Sequence, residues 1–231
     1  MSRVSDVETP LFPLRGHGLK EQQEGNERAQ FIRRMADKGI IDAQYALGVL
    51  YENGREGLVA DGEKAREWYL RAALQGHHEA QFALAWLYDE GEMVPEDARE
   101  AAKWYRLAAD HGHGLAQAAL GVLYEQGSGV EQNYETAAEW YQKAAELGHA
   151  TAQLWLGRLY LKGLGVQQDF EAAAYWFLCA AENGDDDAMV HLARLYEAGQ
   201  GVPLNVHTAV SWYERAAALG NETAKIRLNL E

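Results

Sequence analysis

Residues 137–149 read AAEWYQKAAELGH. The Trp140-Tyr141 pair inside this stretch belongs to a series: Trp68-Tyr69, Trp104-Tyr105, Trp140-Tyr141, Trp176-Phe177 and Trp212-Tyr213, each 36 residues after the last. Five aromatic pairs on one period are one structural unit copied along the chain, not five sites. Around them, Ala101, Trp104 and Ala108 are repeated as Ala137, Trp140 and Ala144, and again as Ala173, Trp176 and Ala180. Spacings of three and four residues place each set on one helical face. Gly112, Gly148 and Gly184 follow and read as helix stops in the left-handed conformation.

A second word precedes each aromatic helix. It reads AQYALGVLY at 43–51, AQFALAWLY at 80–88, AQAALGVLY at 116–124 and AQLWLGRLY at 152–160, with AMVHLARLY at 188–196 as a looser copy. Ala80, Leu84, Leu87 and Tyr88 share a helical side. Gly48, Ala85, Gly121, Gly157 and Ala193 fill one small position. Glycine inside a helix costs about 1 kcal/mol relative to alanine, so close approach of a partner helix must offset it. The halves are joined by glycine turns: GSGV at 127–130, GLGV at 163–166 and GQGV at 199–202.

This phasing predicts an all-α chain of twelve helices: a leading half-repeat over 26–41, five helix pairs over about 42–221 and a trailing capping helix over 222–230. A single helix pair cannot bury its own apolar face, and stacking identical pairs buries it continuously in an α-solenoid. Residues 1–25 are expected to be an extended or disordered arm, because TPLFPLRGHGL at 9–19 mixes proline and glycine and is incompatible with a regular helix.

The formal net charge of −14 argues against nucleic acid and against anionic membrane surfaces as partners. One cysteine, Cys179, permits no intrachain disulfide, and no apolar run reaches the length of a signal peptide core or a spanning helix. These features point to a cytoplasmic protein. His77, His113 and His149 share one repeat position with Asp185 and Asn221, which calls for a short polar helix cap rather than a metal ligand. HHEAQF at 77–82 lacks the second histidine of a zinc-protease helix, since Phe82 stands there. The glycine turns follow helices, not strands, so they are not phosphate loops. No catalytic residue, cofactor or metal is expected, and the chain is read as a non-enzyme.

The combined pattern A-Q-x-x-L-G-x-x-Y, G-x-G-V and A-x-x-W-Y-x-x-A-A-x-x-G resembles the Sel-one-like repeat (SLR), a relative of the tetratricopeptide repeat, over about residues 26–231. The resemblance implies a right-handed superhelix of antiparallel helix pairs. It also implies an adaptor or scaffold role in protein–protein interaction, often in bacterial signalling, envelope regulation or host contact. Cysteine-rich members with a disulfide in each repeat have been linked to penicillin binding, and this chain lacks those cysteine pairs.

By the same resemblance a concave face would carry Tyr45 and Val49, then Phe82, Trp86 and Asp89, then Val122, then Leu154, Arg158 and Lys162, and finally Val190 and Arg194. Tyr45, Phe82 and Trp86 would form an apolar anchor, with Arg158 and Arg194 holding an acidic group of a protein or peptide partner. The alternative is that Phe82 and Trp86 only pack against a neighbouring helix. Trp155, where other repeats have alanine or histidine, either fills a gap between repeats or extends the surface. The runner-up functions are a dedicated inhibitor or immunity-type partner of one protein and, by family analogy alone, a hydrolase. A monomer or weak self-association is expected.

Overall fold

The computed structural model describes the backbone of residues 15–230 and the side chains of residues 26–230. Among the described residues there are twelve helices and no strand. Contacts divide the chain between Ala72 and Ala73 into two compact units. The first holds α1 (Arg15–Asp37), α2 (Ile41–Asn53) and nearly all of α3 (Gly62–Ala73). The second holds α4 (His78–Glu90), α5 (Ala98–Asp110), α6 (Gly114–Gln126), α7 (Tyr134–Glu146), α8 (Ala150–Lys162), α9 (Phe170–Glu182), α10 (Asp186–Ala198), α11 (Val206–Ala218) and α12 (Glu222–Leu228). Each helix of the second unit packs on the next in sequence, giving a helical solenoid of stacked pairs.

Helices α4, α6 and α8 carry the A-Q word, α10 its looser copy AMVHLARLY, and the odd-numbered helices α5 to α11 the aromatic pair. Each partner helix seats an aromatic ring on the small position. A Cβ on Gly121 would lie 2.6 Å from the Tyr141 ring, and one on Gly157 would lie 2.8 Å from the Phe177 ring. The rings themselves are fully buried at Tyr105, Tyr141 and Phe177. Burial of such rings, at about 25 cal/mol per Å² of apolar surface, is the main term holding each pair together.

The glutamine of the A-Q word has its own task. Gln81, Gln117 and Gln153 are buried, and each donates its side-chain amide to a carbonyl in the last turn of the preceding helix. The acceptors are Ala73 at 3.1 Å, Ala109 at 3.1 Å and Ala145 at 3.0 Å. Each of these carbonyls also accepts a turn bond from the backbone N–H of Gly76, Gly112 or Gly148, so the glutamine is a second partner for it and the bond satisfies an amide that is itself buried. In the first unit Gln44 reaches Ala36 in the same way at 3.3 Å.

The shared polar position caps α4, α6, α10 and α12. His77 Nδ1, His113 Nδ1, Asp185 Oδ1 and Asn221 Oδ1 accept from the backbone N–H groups of Ala80, Ala116, Ala188 and Ala224 at 2.8–3.2 Å. His149 departs from the pattern and makes no cap bond. Its ring lies over Gly114, where an added Cβ would come within 1.9 Å of Nε2.

The first boundary also departs from expectation. Helix α1 starts at Arg15, so residues 15–25 are helical rather than part of an arm. Pro10 and Pro13 precede that start, and proline bars only a helix interior. Residues 1–14 of the arm expected over 1–25 lie outside the described residues.

Candidate functional site

Three repeating positions on α4, α6, α8 and α10 contain most of the candidate residues, and the structure gives each position a different role. The first holds Phe82, Ala118, Leu154 and Val190. Phe82 stacks on His113 with ring centroids 4.5 Å apart and lies 5.8 Å from Tyr105. Leu154 is 7% exposed and Val190 4%, and both belong to a core that includes Phe177, Leu192 and Tyr213. Leu154 and Val190 are therefore removed from the contact surface: this position faces the packing of the following repeat. Phe82, half-buried, rests against those two rings.

The third position holds Asp89, Glu125, Leu161 and Glu197. Asp89 accepts a hydrogen bond from the Tyr105 hydroxyl at 3.2 Å, Glu125 from Tyr141 at 2.8 Å and Glu197 from Tyr213 at 2.9 Å. Burial and the facing carboxylate push the Tyr105 and Tyr141 hydroxyls well above the ordinary phenol range, so both stay protonated donors. Burial also raises the Asp89 carboxyl above its usual value. In the fourth repeat both partners change together: Phe177 has no hydroxyl, and Leu161 has no carboxylate. The acid at this position is thus a partner for the buried tyrosine, which accounts for Asp89 without a ligand.

A double-mutant cycle tests this pairing. Tyr141→Phe is expected to cost about 1–3 kcal/mol by leaving the Glu125 carboxylate without its donor. Adding Glu125→Leu should recover most of that loss, since it recreates the Phe177–Leu161 pair. Urea unfolding of the four proteins reads the coupling, and additive losses would contradict the pairing.

The second position holds Trp86, Val122, Arg158 and Arg194. Trp86 is 46% exposed, with its ring 6.3 Å from Phe82. Val122 is half-buried and Arg194 is exposed. The Arg158 guanidinium lies over the Trp155 ring at 4.3 Å. Trp155 itself is half-buried against the core of the third and fourth repeats, so it fills the boundary and supports Arg158. Lys162, one turn beyond Arg158, is exposed at the end of α8. Among the described residues, Arg158, Lys162 and Arg194 have no carboxylate within 4.0 Å. This basic group is part of a chain with net charge −14. Tyr45 and Val49 occupy the first and second positions of α2 in the first unit, where they line a groove with Ile32 and Arg55.

His191 lies among these cations. Its ring stacks on Phe177 at 4.8 Å, inclined by 9°. Burial lowers its pKa to about 4, helped by Arg194, Arg158 and Lys162 and opposed by Asp187. Unfolding returns it to the ordinary value near 6.5, so the unfolded chain holds the extra proton between about pH 4 and 6.5. The stability associated with neutral His191 is complete above pH 6.5 and is lost as pH falls towards 4. The ring is partly exposed and water screens part of this effect, so about 1–2 kcal/mol is expected. His191→Phe should flatten that part of the urea midpoint against pH, and an unchanged profile would contradict it.

Among the described residues no group of three or more His, Cys, Asp or Glu is arranged to hold a metal ion. Among the same residues no helix is long and apolar enough to cross a membrane. The chemistry that Arg158, Lys162 and Arg194 offer is that of hydrogen-bond donors and positive charge for an anionic group, and Trp86, two repeats earlier on α4, offers exposed aromatic surface.

Comparison with known proteins places this architecture. The family model for the Sel1 repeat matches five times, over residues 41–77, 78–113, 114–149, 150–185 and 186–221. A protective antigen present in uropathogenic Escherichia coli strains, which displays an SLR fold, is 38% identical with a TM-score of 0.85. The match covers 88% of this chain and 44% of that one. A Sel1 repeat protein from Oxalobacter formigenes is 35% identical with a TM-score of 0.78, over 91% of this chain and 84% of that one. A shorter match, 44% identical over 52 residues, joins 22% of this chain to 6% of chitin synthase regulatory factor 3 of Schizosaccharomyces pombe. The chain thus spans less than half the length of the Escherichia coli antigen and a small fraction of the yeast protein.

Proposed function

The chain belongs to the Sel1 repeat family, and from that premise we propose that it is an adaptor holding a protein or peptide partner on the exposed face of its even-numbered helices. Sel1 repeat proteins are in general protein-interaction modules. One observation carries the reading. Trp86, Val122, Arg158 and Arg194 occupy one repeated position and differ in both size and charge, whereas the variable position of Phe82, Ala118, Leu154 and Val190 stays apolar. Packing does not account for an indole 46% exposed at Trp86 or for an exposed cation at Arg194. Large aromatic and arginine side chains are the residue types that most often anchor protein interfaces.

Site-specific photocrosslinking in cells tests the proposal. A photoreactive amino acid at position 86, 122, 158 or 194 is expected to capture a partner protein. The same residue at Tyr175 or Val210, exposed on the odd-numbered helices, should capture none. One recurrent product would point to a dedicated partner, and several to a shared adaptor. Capture only from positions 175 and 210 would overturn the assignment of the face.

A further inference from the structure

We propose that Arg158, Lys162 and Arg194 on α8 and α10, with Trp155 beneath Arg158, form a site for an acidic peptide segment of the partner. The inference rests on the adaptor reading above and names the chemistry of what that face takes.

The starting point is a charge imbalance. The chain has 35 Asp and Glu against 21 Lys and Arg, so its cations are outnumbered by available acids. Several do find one nearby, as Lys103 does with Glu100, Lys225 with Glu222 and Arg227 with Glu197. Arg158, Lys162 and Arg194 do not, although two of them occupy the same position of successive even-numbered helices and the third lies one turn from Arg158.

The fourth repeat has also lost the anion that the others keep there. Where α4, α6 and α10 carry Asp89, Glu125 and Glu197, α8 carries Leu161 beside Lys162. The tyrosine that would have needed that acid is Phe177, so the carboxylate has been removed without leaving a buried hydroxyl unpaired. His191, stacked on Phe177, adds an aromatic wall rather than a charge. None of the three cations has a carboxylate within 4.0 Å among the described residues, so an incoming carboxylate would find their donors open to it.

The site is also partly prepared. The Arg158 guanidinium lies over the Trp155 ring at 4.3 Å, a contact that restricts it before a ligand arrives. A planar guanidinium presents paired N–H donors that match the two oxygens of a carboxylate. Three cations suit a short segment with two or three acids. A long polyphosphate would bring the acidic remainder of the surface into repulsion with it, given the net charge of −14.

Selection from a random peptide display library tests the proposal on the full chain. Wild type is expected to select sequences enriched in Asp and Glu. The charge-reversed protein, Arg158→Glu with Lys162→Glu and Arg194→Glu, is expected to lose that enrichment. The milder Arg158→Gln and Arg194→Gln pair, with its circular dichroism spectrum unchanged, should weaken a selected peptide by about tenfold or more. Peptides without acidic enrichment, enrichment that survives charge reversal, or no selected peptide would each overturn the proposal. So would displacement of the selected peptides by a thymidine oligonucleotide at equal charge, which would point to a polyanion instead. If selected peptides are apolar and are lost with Trp86→Ala but kept on charge reversal, the adaptor face stands and the acidic class fails. If photocrosslinking from that face also fails, both readings fall.

Discussion

Tyr141→Ala is expected to lower the unfolding free energy by about 3–5 kcal/mol, measured by urea denaturation. The ring is fully buried against Gly121 on α6, where the absence of a Cβ lets it approach so closely. Truncation empties that contact and leaves the Glu125 carboxylate without the hydroxyl that donates to it at 2.8 Å. The neighbouring pairs lean on the same helices, so the loss should broaden or split the transition rather than only shift it. Tyr175→Ala supplies the control. Its side chain is 58% exposed on the outer side of α9, and a change within about 0.5 kcal/mol is expected there. Equal losses at the two positions would contradict the assignment of Tyr141 to the shared core.

The second large effect concerns a turn. Gly165→Ala should cost about 3 kcal/mol, from left-handed strain of about 1–2 kcal/mol together with overpacking of about 1–3 kcal/mol. Gly165 has φ +67°, and a Cβ there would lie 2.2 Å from the carbonyl carbon of Tyr134. That atom is backbone at the start of α7, so it cannot swing aside as a side chain would. Gly129 and Gly201 meet Ala98 and Phe170 in the same way, which explains the second glycine of the G-x-G-V turn as an inter-repeat contact. Gly148→Ala separates the two causes. Gly148 has φ +89° with nothing within 4 Å of its missing Cβ, so only the strain should appear. A loss at Gly165 no larger than at Gly148 would show that the contact contributes nothing.

The architecture was legible because it is written several times over. The aromatic pairs, the small position and the glycine stops recur in phase, so periodicity placed the helices and their pairing. Gly76, Gly112, Gly148, Gly184 and Gly220 all adopt positive φ, as the helix-stop reading requires. The start of α1 at Arg15 was less legible, because it precedes the repeats and has no copy to align with.

The candidate face was legible only in part. The repeat resemblance places Leu154 and Val190 on it, at a position that holds Tyr45, Phe82, Ala118, Leu154 and Val190 along the chain. Every one of those residues is apolar or aromatic, which marks a packing position adjusting its volume rather than a specialised surface. The same resemblance places Asp89 there. Its tie to Tyr105 bridges two helices 16 residues apart in sequence, a spacing that local pattern does not reveal. The joint change to Leu161 and Phe177 was the signal that could have exposed it. Trp86, Arg158 and Arg194 remain as the residues whose variation packing does not absorb.

The central claim is that repeated positions hold the fold while the Trp86, Val122, Arg158 and Arg194 position holds the partner. Its most direct test is the affinity of the photocrosslinked partner for the protein with all four changed to alanine, at an unchanged circular dichroism spectrum. The account predicts a loss of about 100-fold or more, in line with removal of interface anchors. An affinity within about twofold of wild type would contradict it, since substitutions outside an interface core leave binding nearly unaltered.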